Sequence, residues 1–572
     1  MSMAQDSGAK RIVQALRRAG VDCVFGLPGT QNVPLFEALR GSGLRLVVAT
    51  NELSAAMMAN GYFRASGRPG VLLTIPGPGF TWALTGLAEA ALDSAAILHL
   101  TNAPAQAPGQ RFQLQAIGQS AMAAPVTRKI VAIDHADTAA NGIAEAWQAC
   151  LAGEPGPVLV QVARGVWEQS ASGDAGSPMQ PAGQRVDSGD VDAVAAALAQ
   201  ASHCVLLLGQ GCAGAATAAT HLAERLSAAV VTTTSGRGVV AEDHPLSLGF
   251  ALAGNNAETL NRLIEASDLV LAIGCKFSHN GARGFRLKLP PEKLIHVDAS
   301  PEVLAANYPA RWAIRADAPA FMTALLQRLG PDFAPSAGYT ADAVTTWRER
   351  CRAEKLRDLV EPRIHGVPSG KPEAFFAALG RALPRESHLV TDSGRHQELA
   401  RRHYPVLGAR GLITPTNLQS MGFAIGAAIG AKLADPGRPV VALIGDGGLA
   451  MSGLELLAAV RERIDLVVIV FVDGILGAIR DQQIERYGHA SGTVLPELDC
   501  AALAQAIGVR HVRLQADPET TLRAAIEAPG VTLVEVAVGD TLPMHWTRMK
   551  GAAKSMLGPR GKAWLRKLSG RA

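Results

Sequence analysis

The sequence predicts an α/β protein with three doubly wound parallel-sheet domains. Three observations lead there. Short apolar runs recur along the 572-residue chain and alternate with stretches of helical period. Many of these runs close on turn residues, as in Gly26-Leu27-Pro28-Gly29, Pro76-Gly77-Pro78-Gly79 and Gly445-Asp446-Gly447-Gly448. Two segments interrupt the alternation. One is a linker at 169–190, rich in Ser, Gly, Pro and Gln, and the other is a connector at 331–370. They divide the chain into domains at 1–168, 191–330 and 371–540, with a tail at 541–572.

In the first domain, Ile12, Val13, Leu16 and Val21 make the apolar face of a helix over 8–22. A short strand at 24–26 follows, then a helix carrying Leu35, Phe36 and Leu39. A strand over 44–49 ends at Thr50-Asn51-Glu52, and the next helix carries Ala55, Met58 and Tyr62. Strands over 70–75, 97–100 and 158–162 complete the set. The second domain has strands at 204–208, 230–233, 269–273 and 294–297. The third has strands at 388–391, 440–444, 466–472 and 531–536.

Composition bounds the function. With 48% hydrophobic and 18% charged residues, the chain can build large cores. Its seven cysteines form no CxxC, which reads as reduced thiols in a cytoplasmic protein. The start has no signal-peptide pattern, and no apolar run reaches the length of about 18 residues that a membrane span needs. The formal charge is +4, but the tail after Asp540 holds eight Lys/Arg and no acid, so the remainder carries −4. The basic tail lacks the aromatic interleaving of a nucleic-acid binder, so neither nucleic acid nor membrane is an expected partner.

The chemistry centres on Gly445-Asp446-Gly447-Gly448. A strand ends there, a helix follows, and a second strand ends at Asp473-Gly474. Two oxygen ligands at neighbouring ends of a parallel sheet suit Mg²⁺, which leaves much of its shell to phosphate and water. Glycines let backbone N–H groups approach a diphosphate.

That spacing resembles the metal motif of thiamine diphosphate (ThDP) enzymes, and further motifs sit in order around it. These are Val24-Phe25-Gly26, Glu52, Gly77-Pro78-Gly79, Pro155-Gly156-Pro157, Glu242-Asp243-His244-Pro245, Asp392-Ser393-Gly394 and Met421-Gly422-Phe423. Together they resemble the acetolactate synthase/pyruvate decarboxylase superfamily, most of all its acetolactate synthase branch. The resemblance implies pyrimidine-binding, central and diphosphate-binding domains. Asp446, Asp473 and the Ile475 carbonyl would hold Mg²⁺. Glu52 would assist cofactor activation. Gly77, Pro78 and Gly79 would meet the pyrimidine. Gly394, His396, Gln397, Gly445, Gly447 and Gly448 would meet the rest of the cofactor, with Met421 wedged beneath it. Thr30, Gln31, Phe80 and Gln115 are the implied substrate contacts. The segment Asp481-Gln482-Gln483 to Gly492 is a candidate lid over the metal site. The family places active sites between subunits, which implies a dimer or tetramer.

The sequence departs from the pattern in three places. Asp473 stands where the family has Asn, which predicts a working site with a stronger metal requirement. The first domain lacks the His-His pair of pyruvate decarboxylases and the histidine before the Gly77 turn of benzoylformate decarboxylases. That favours carboligation of a 2-oxo acid over simple decarboxylation. In the central domain, Gly249-Phe250-Ala251-Leu252-Ala253-Gly254 and Gly274-Cys275-Lys276-Phe277 occupy the FAD region, but Ser278-His279-Asn280 replaces its charged signature, which argues against bound FAD. Rival readings are a 2-hydroxyacyl-CoA lyase or oxalyl-CoA decarboxylase, a simple 2-oxo acid decarboxylase, and a non-catalytic binding subunit of the same fold.

Overall fold

The computed structural model describes residues 6–104, 110–172, 186–252, 257–357 and 361–539. It contains three wholly parallel sheets. The first has β1 (Cys23–Gly26), β2 (Arg45–Val48), β3 (Gly70–Leu73), β4 (Ile97–Asn102), β5 (Lys129–Ile133) and β6 (Val158–Val162), in the order β2-β1-β3-β4-β6-β5. The second has β7 (Cys204–Leu208), β8 (Ala229–Thr232), β9 (Leu269–Ile273), β10 (Leu294–Asp298) and β11 (Trp312–Arg315), in the order β11-β10-β9-β7-β8. The third has β12 (His388–Thr391), β13 (Leu412–Ile413), β14 (Val440–Gly445), β15 (Leu466–Val472), β16 (Arg510–Arg513) and β17 (Val531–Ala537), in the order β13-β12-β14-β15-β17-β16. The basic tail lies outside the described residues, as do most of the first linker and Ala253 and Gly254.

The sequence reading missed β5, β11, β13 and β16. All four are edge strands. A strand inside a parallel sheet is covered on both faces and reads as an unbroken apolar run. An edge need not, and β16, with the sequence Arg-His-Val-Arg, is exposed at both ends. The first helix also stops sooner than expected, at Arg18, with Gly20 at φ +80° beyond its cap.

The outer two domains meet through the helices Glu52–Ser66 and Phe423–Ala434. Both are almost fully buried. They touch backbone to backbone at glycines. A Cβ on Gly61 would lie 2.0 Å from the Ala427 carbonyl oxygen, and one on Gly430 would lie 1.9 Å from that of Met58. This contact fixes the N-termini of the two helices, where Glu52 and Met421 stand, relative to one another.

Candidate active site

The C-terminal half of the site is built at the carboxyl edge of β12, β14 and β15. A cavity of about 130 Å³ there is lined by Gly394, Arg395, His396, Met421, Gly445–Gly448, Asp473 and Ile475. Asp446 opens the helix that follows β14 and is buried. Its Oδ2 accepts the N–H groups of Asp473 (3.1 Å) and Gly474 (2.7 Å), so the two strand ends are tied together. Asp473 Oδ1 accepts the Ile475 N–H at 3.3 Å. Burial pushes the Asp473 carboxyl up to about 6, with Arg395 opposing and Asp446 reinforcing the rise.

These residues fit a metal-bridged diphosphate. Two carboxylates and one carbonyl leave coordination positions for phosphate and water. A Cβ on Gly447 would come within 3.4 Å of Leu476, Leu495 and the Met421 methyl, and Gly394 sits at φ +147°. His396 is buried and its Nε2 has no partner, while burial holds the ring at about 4 and hence neutral. Such an orphaned polar atom facing a cavity marks a place for a ligand.

Gln397 points elsewhere. Its Nε2 donates to Thr414 Oγ1 and to the Pro415 carbonyl, both at 2.7 Å, and it does not line the cavity. It braces the segment leading to Met421. That corrects the expectation that it meets the cofactor, because its turn of the helix aims it into the protein.

The N-terminal half gathers around the turn after β3. Gly77 has φ +67° and caps the helix Pro78–Leu92. Glu52 begins its own helix beside it, with Asn51 capping the Ser54 N–H at 2.8 Å. A Cβ on Gly79 would approach Glu52 Oε1 to 2.9 Å, so the carboxylate lies against this turn. Gln115, in the left-handed region at φ +59°, packs on Gly77 and accepts a hydrogen bond from Gln31. Thr30 is exposed on the same loop. Phe80 is instead fully buried, with its ring parallel to that of His99 at 5.9 Å. It serves the domain core, and the proposed substrate wall is corrected accordingly.

Four further residues support the site; the sequence reading missed Gln119, Glu455 and Arg395, while Asp392 stood in the Asp392-Ser393-Gly394 motif without a role. Buried Gln119 accepts the Gly77 N–H at 3.1 Å and donates to the Asn102 carbonyl at 3.0 Å. Asp392 accepts the N–H groups of Ser393 (2.6 Å) and Gly422 (2.9 Å), while burial pushes its carboxyl up to about 7. Glu455 accepts the Thr50 N–H at 3.1 Å, two residues before Glu52. Arg395 pairs with Asp473. Of the three missed residues, Arg395 had a signal in the sequence, since an extra carboxylate at a diphosphate site calls for a counter-ion.

In the central domain, a cavity of about 310 Å³ opens at the carboxyl ends of β7 and β9, where the strand order reverses. Its size is at the small end for a drug-sized ligand. Glu154, Asp298 and Asp317 line it, and Lys276, also in its wall, is paired with Glu154 at 2.5 Å. Asp298 is pushed up to about 6 by burial. Lys276 and Arg410 are the basic side chains of this wall, against the carboxyls of Asp93, Glu154, Asp298 and Asp317.

The fold and the paired half-sites define a cofactor-dependent enzyme, and comparison with known proteins gives its class. Descriptions of the thiamine pyrophosphate enzyme match at residues 6–122 (N-terminal TPP binding domain), 191–325 (central domain) and 392–536 (C-terminal TPP binding domain). The chain is 32% identical to a probable 2-ketoarginine decarboxylase of Pseudomonas aeruginosa, over 93% of this chain and 94% of that protein. It is 29% identical to the acetolactate synthase isozyme 2 large subunit of Escherichia coli, over 94% and 97%. It is also 29% identical to a probable acetolactate synthase large subunit of Methanocaldococcus jannaschii, over 94% and 93%. The chain belongs to the thiamine pyrophosphate enzyme family. It is a ThDP-dependent enzyme of the transferase/lyase class that works in 2-oxo acid chemistry. Among the described residues, no helix is long and apolar enough to cross a membrane.

Proposed function

We propose that this enzyme decarboxylates a 2-oxo acid and joins the resulting acyl unit to a second carbonyl compound, a reading supported by its similarity to proteins named acetolactate synthase. The bound cofactor supplies the electron sink for the carboxylate's departure. The chain's own residues do the rest. Asp446, Asp473 and the Ile475 carbonyl hold Mg²⁺, His396 and the glycine turns receive the diphosphate, and Met421 supports the cofactor from below. Glu52 holds and returns a proton at the pyrimidine ring. The observation that carries ligation is the Gln31–Gln115 amide pair against Gly77. Neither amide of this pair ionises, so the two neutral side chains favour keeping the acyl unit for a carbon acceptor.

Active sites form across a dimer or tetramer interface in this reading. Every described residue lining the C-terminal cavity belongs to the C-terminal domain. In this reading Glu52 and the Gly77 turn of a second copy complete that cavity. The helices following the two turns expose Trp82 and Met451, and the short turn after the second exposes Leu454, each more than 60% accessible, which suits them to a subunit contact.

The relative named for 2-ketoarginine favours a second reading, simple decarboxylation of a larger 2-oxo acid. One assay separates the two. CO₂ release and acetolactate are measured from pyruvate, with and without ThDP and Mg²⁺, and CO₂ release is measured in parallel from 2-ketoarginine. Acetolactate that depends on both additions supports ligation. CO₂ from 2-ketoarginine alone moves the conclusion to the second reading.

A further inference from the structure

We propose that Arg395 is the built-in counter-ion of Asp473 and that it latches the helix Gly477–Tyr487 onto the metal end of the site, so that metal loading and seating of that helix are coupled. The proposal rests on the metal reading above. Arg395 opens the helix Arg395–His403 directly after Gly394. Its Nη1 donates to Asp473 Oδ2 at 3.0 Å, while its Nη2 donates to the Gly477 carbonyl at 3.1 Å and to Asp481 Oδ2 at 2.9 Å. The side chains of Arg395 and Asp473 are only 10% and 14% exposed. One guanidinium thus joins a metal-ligand candidate to the first turn of the neighbouring helix.

Two features make this arrangement specific. Asp473 stands beside Asp446, and without Arg395 two carboxylates would face an anionic diphosphate at close range. A partly buried like-charge contact of this kind is strongly unfavourable. Further, Gly477 is the one fully buried residue of its helix, and a Cβ there would lie 2.5 Å from Arg395 Cζ. The guanidinium lies flat on the glycine. With little apolar burial of its own, the helix depends on this polar contact for its position. Asp473 holds its other oxygen towards the Ile475 N–H, so Arg395 also sets the direction in which the carboxylate meets a metal.

The test uses the full chain stripped of metal, as parent, Arg395→Gln, Asp473→Asn and the double variant, with Arg395→Lys as the conservative control. ThDP retention at fixed Mg²⁺ is measured by equilibrium dialysis. Each single variant is expected to weaken retention by about tenfold or more, since Arg395→Gln leaves two carboxylates beside the diphosphate and Asp473→Asn removes one of the two carboxylates that Arg395 bridges. The double variant is expected within about threefold of the parent. A double variant as weak as the two single losses combined would overturn the counter-ion role. Deuterium uptake of residues 477–487 reads the latch. Mg²⁺ and ThDP protect this segment in the parent and in Arg395→Lys but not in Arg395→Gln, even at saturation. Equal protection in Arg395→Gln would overturn the latch. If the parent retains no ThDP at any Mg²⁺ level, the functional reading fails on its own. Melting of the four metal-free proteins then still judges the pair, because Arg395→Gln should melt below the double variant, and additive losses would reject the coupling.

Discussion

The N-terminal and C-terminal domains have the same strand order, and both match thiamine pyrophosphate binding domains, yet their glycine turns differ in chemistry. In each, the third strand of the domain runs into a glycine turn and a helix, and the first helical residue is Pro78 in one and Asp446 in the other. Proline at that position offers a fixed φ and no charge. Aspartate offers a metal ligand. The scaffold sets where the turn lies, and in the proposed function this one residue decides whether the turn would receive a ring or a cation.

The likeness extends to how the domains grip each other. Glu89, on the helix after β3, accepts the Ser420 N–H just ahead of Met421 at 2.8 Å. Glu455, just beyond the helix after β14, accepts the Thr50 N–H just ahead of Glu52. Each domain therefore sends a buried carboxylate to the end of the other's second strand region, where a functional residue begins. What differs is the turn chemistry, and what is shared is the means of holding it.

The comparison breaks hardest at its two unlike turns. Asp446→Ala should abolish Mg²⁺-dependent ThDP retention, as read by dialysis. Glu52→Gln should keep retention and lower kcat by about a hundredfold to ten-thousandfold, the range of a lost acid–base group. If both variants lost binding equally, the division between a holding and an activating half would be wrong.

A smaller effect tests the contact between the halves. Gly430→Ala forces a methyl onto the Met58 carbonyl, and overpacking of this kind typically costs about 1–3 kcal/mol. A lowered melting temperature in the metal-free protein would register it, and an unchanged one would mean that the two helices are not in backbone contact.

The smallest effect is a pH slope. Burial raises the carboxyls of both Glu89 and Glu455. The folded protein therefore keeps protons that the unfolded chain releases above about pH 4.5. Their contribution is complete below that value and is lost as the pH rises through the raised values. The melting temperature should fall over that window, and Glu89→Gln should flatten the fall. A slope unchanged by Glu89→Gln would assign it to other groups.

How much could be read beforehand varied with burial and with distance along the chain. β14 and β15 lie inside their sheet and announced themselves as apolar runs. β13, with two residues, did not. The Gly445–Gly448 and Gly77–Gly79 turns were legible because local backbone needs select their residues. Phe80 and Gln397 were assigned to the site by their place in a motif, but the rotation of each helix turns them into the protein.

The sequence by itself determined the three-sheet architecture and the two turns, because apolar periodicity and glycine placement act over a few residues, and the ordered motifs carried the resemblance that implied the cofactor class. Only the tertiary structure decided the partners. Thr50 and Glu455 are 405 positions apart, Glu89 and Ser420 are 331 apart, and Arg395 reaches Asp473 across 78. A buried charge must find its counterpart in space, and chain folding rather than local preference brings the two together.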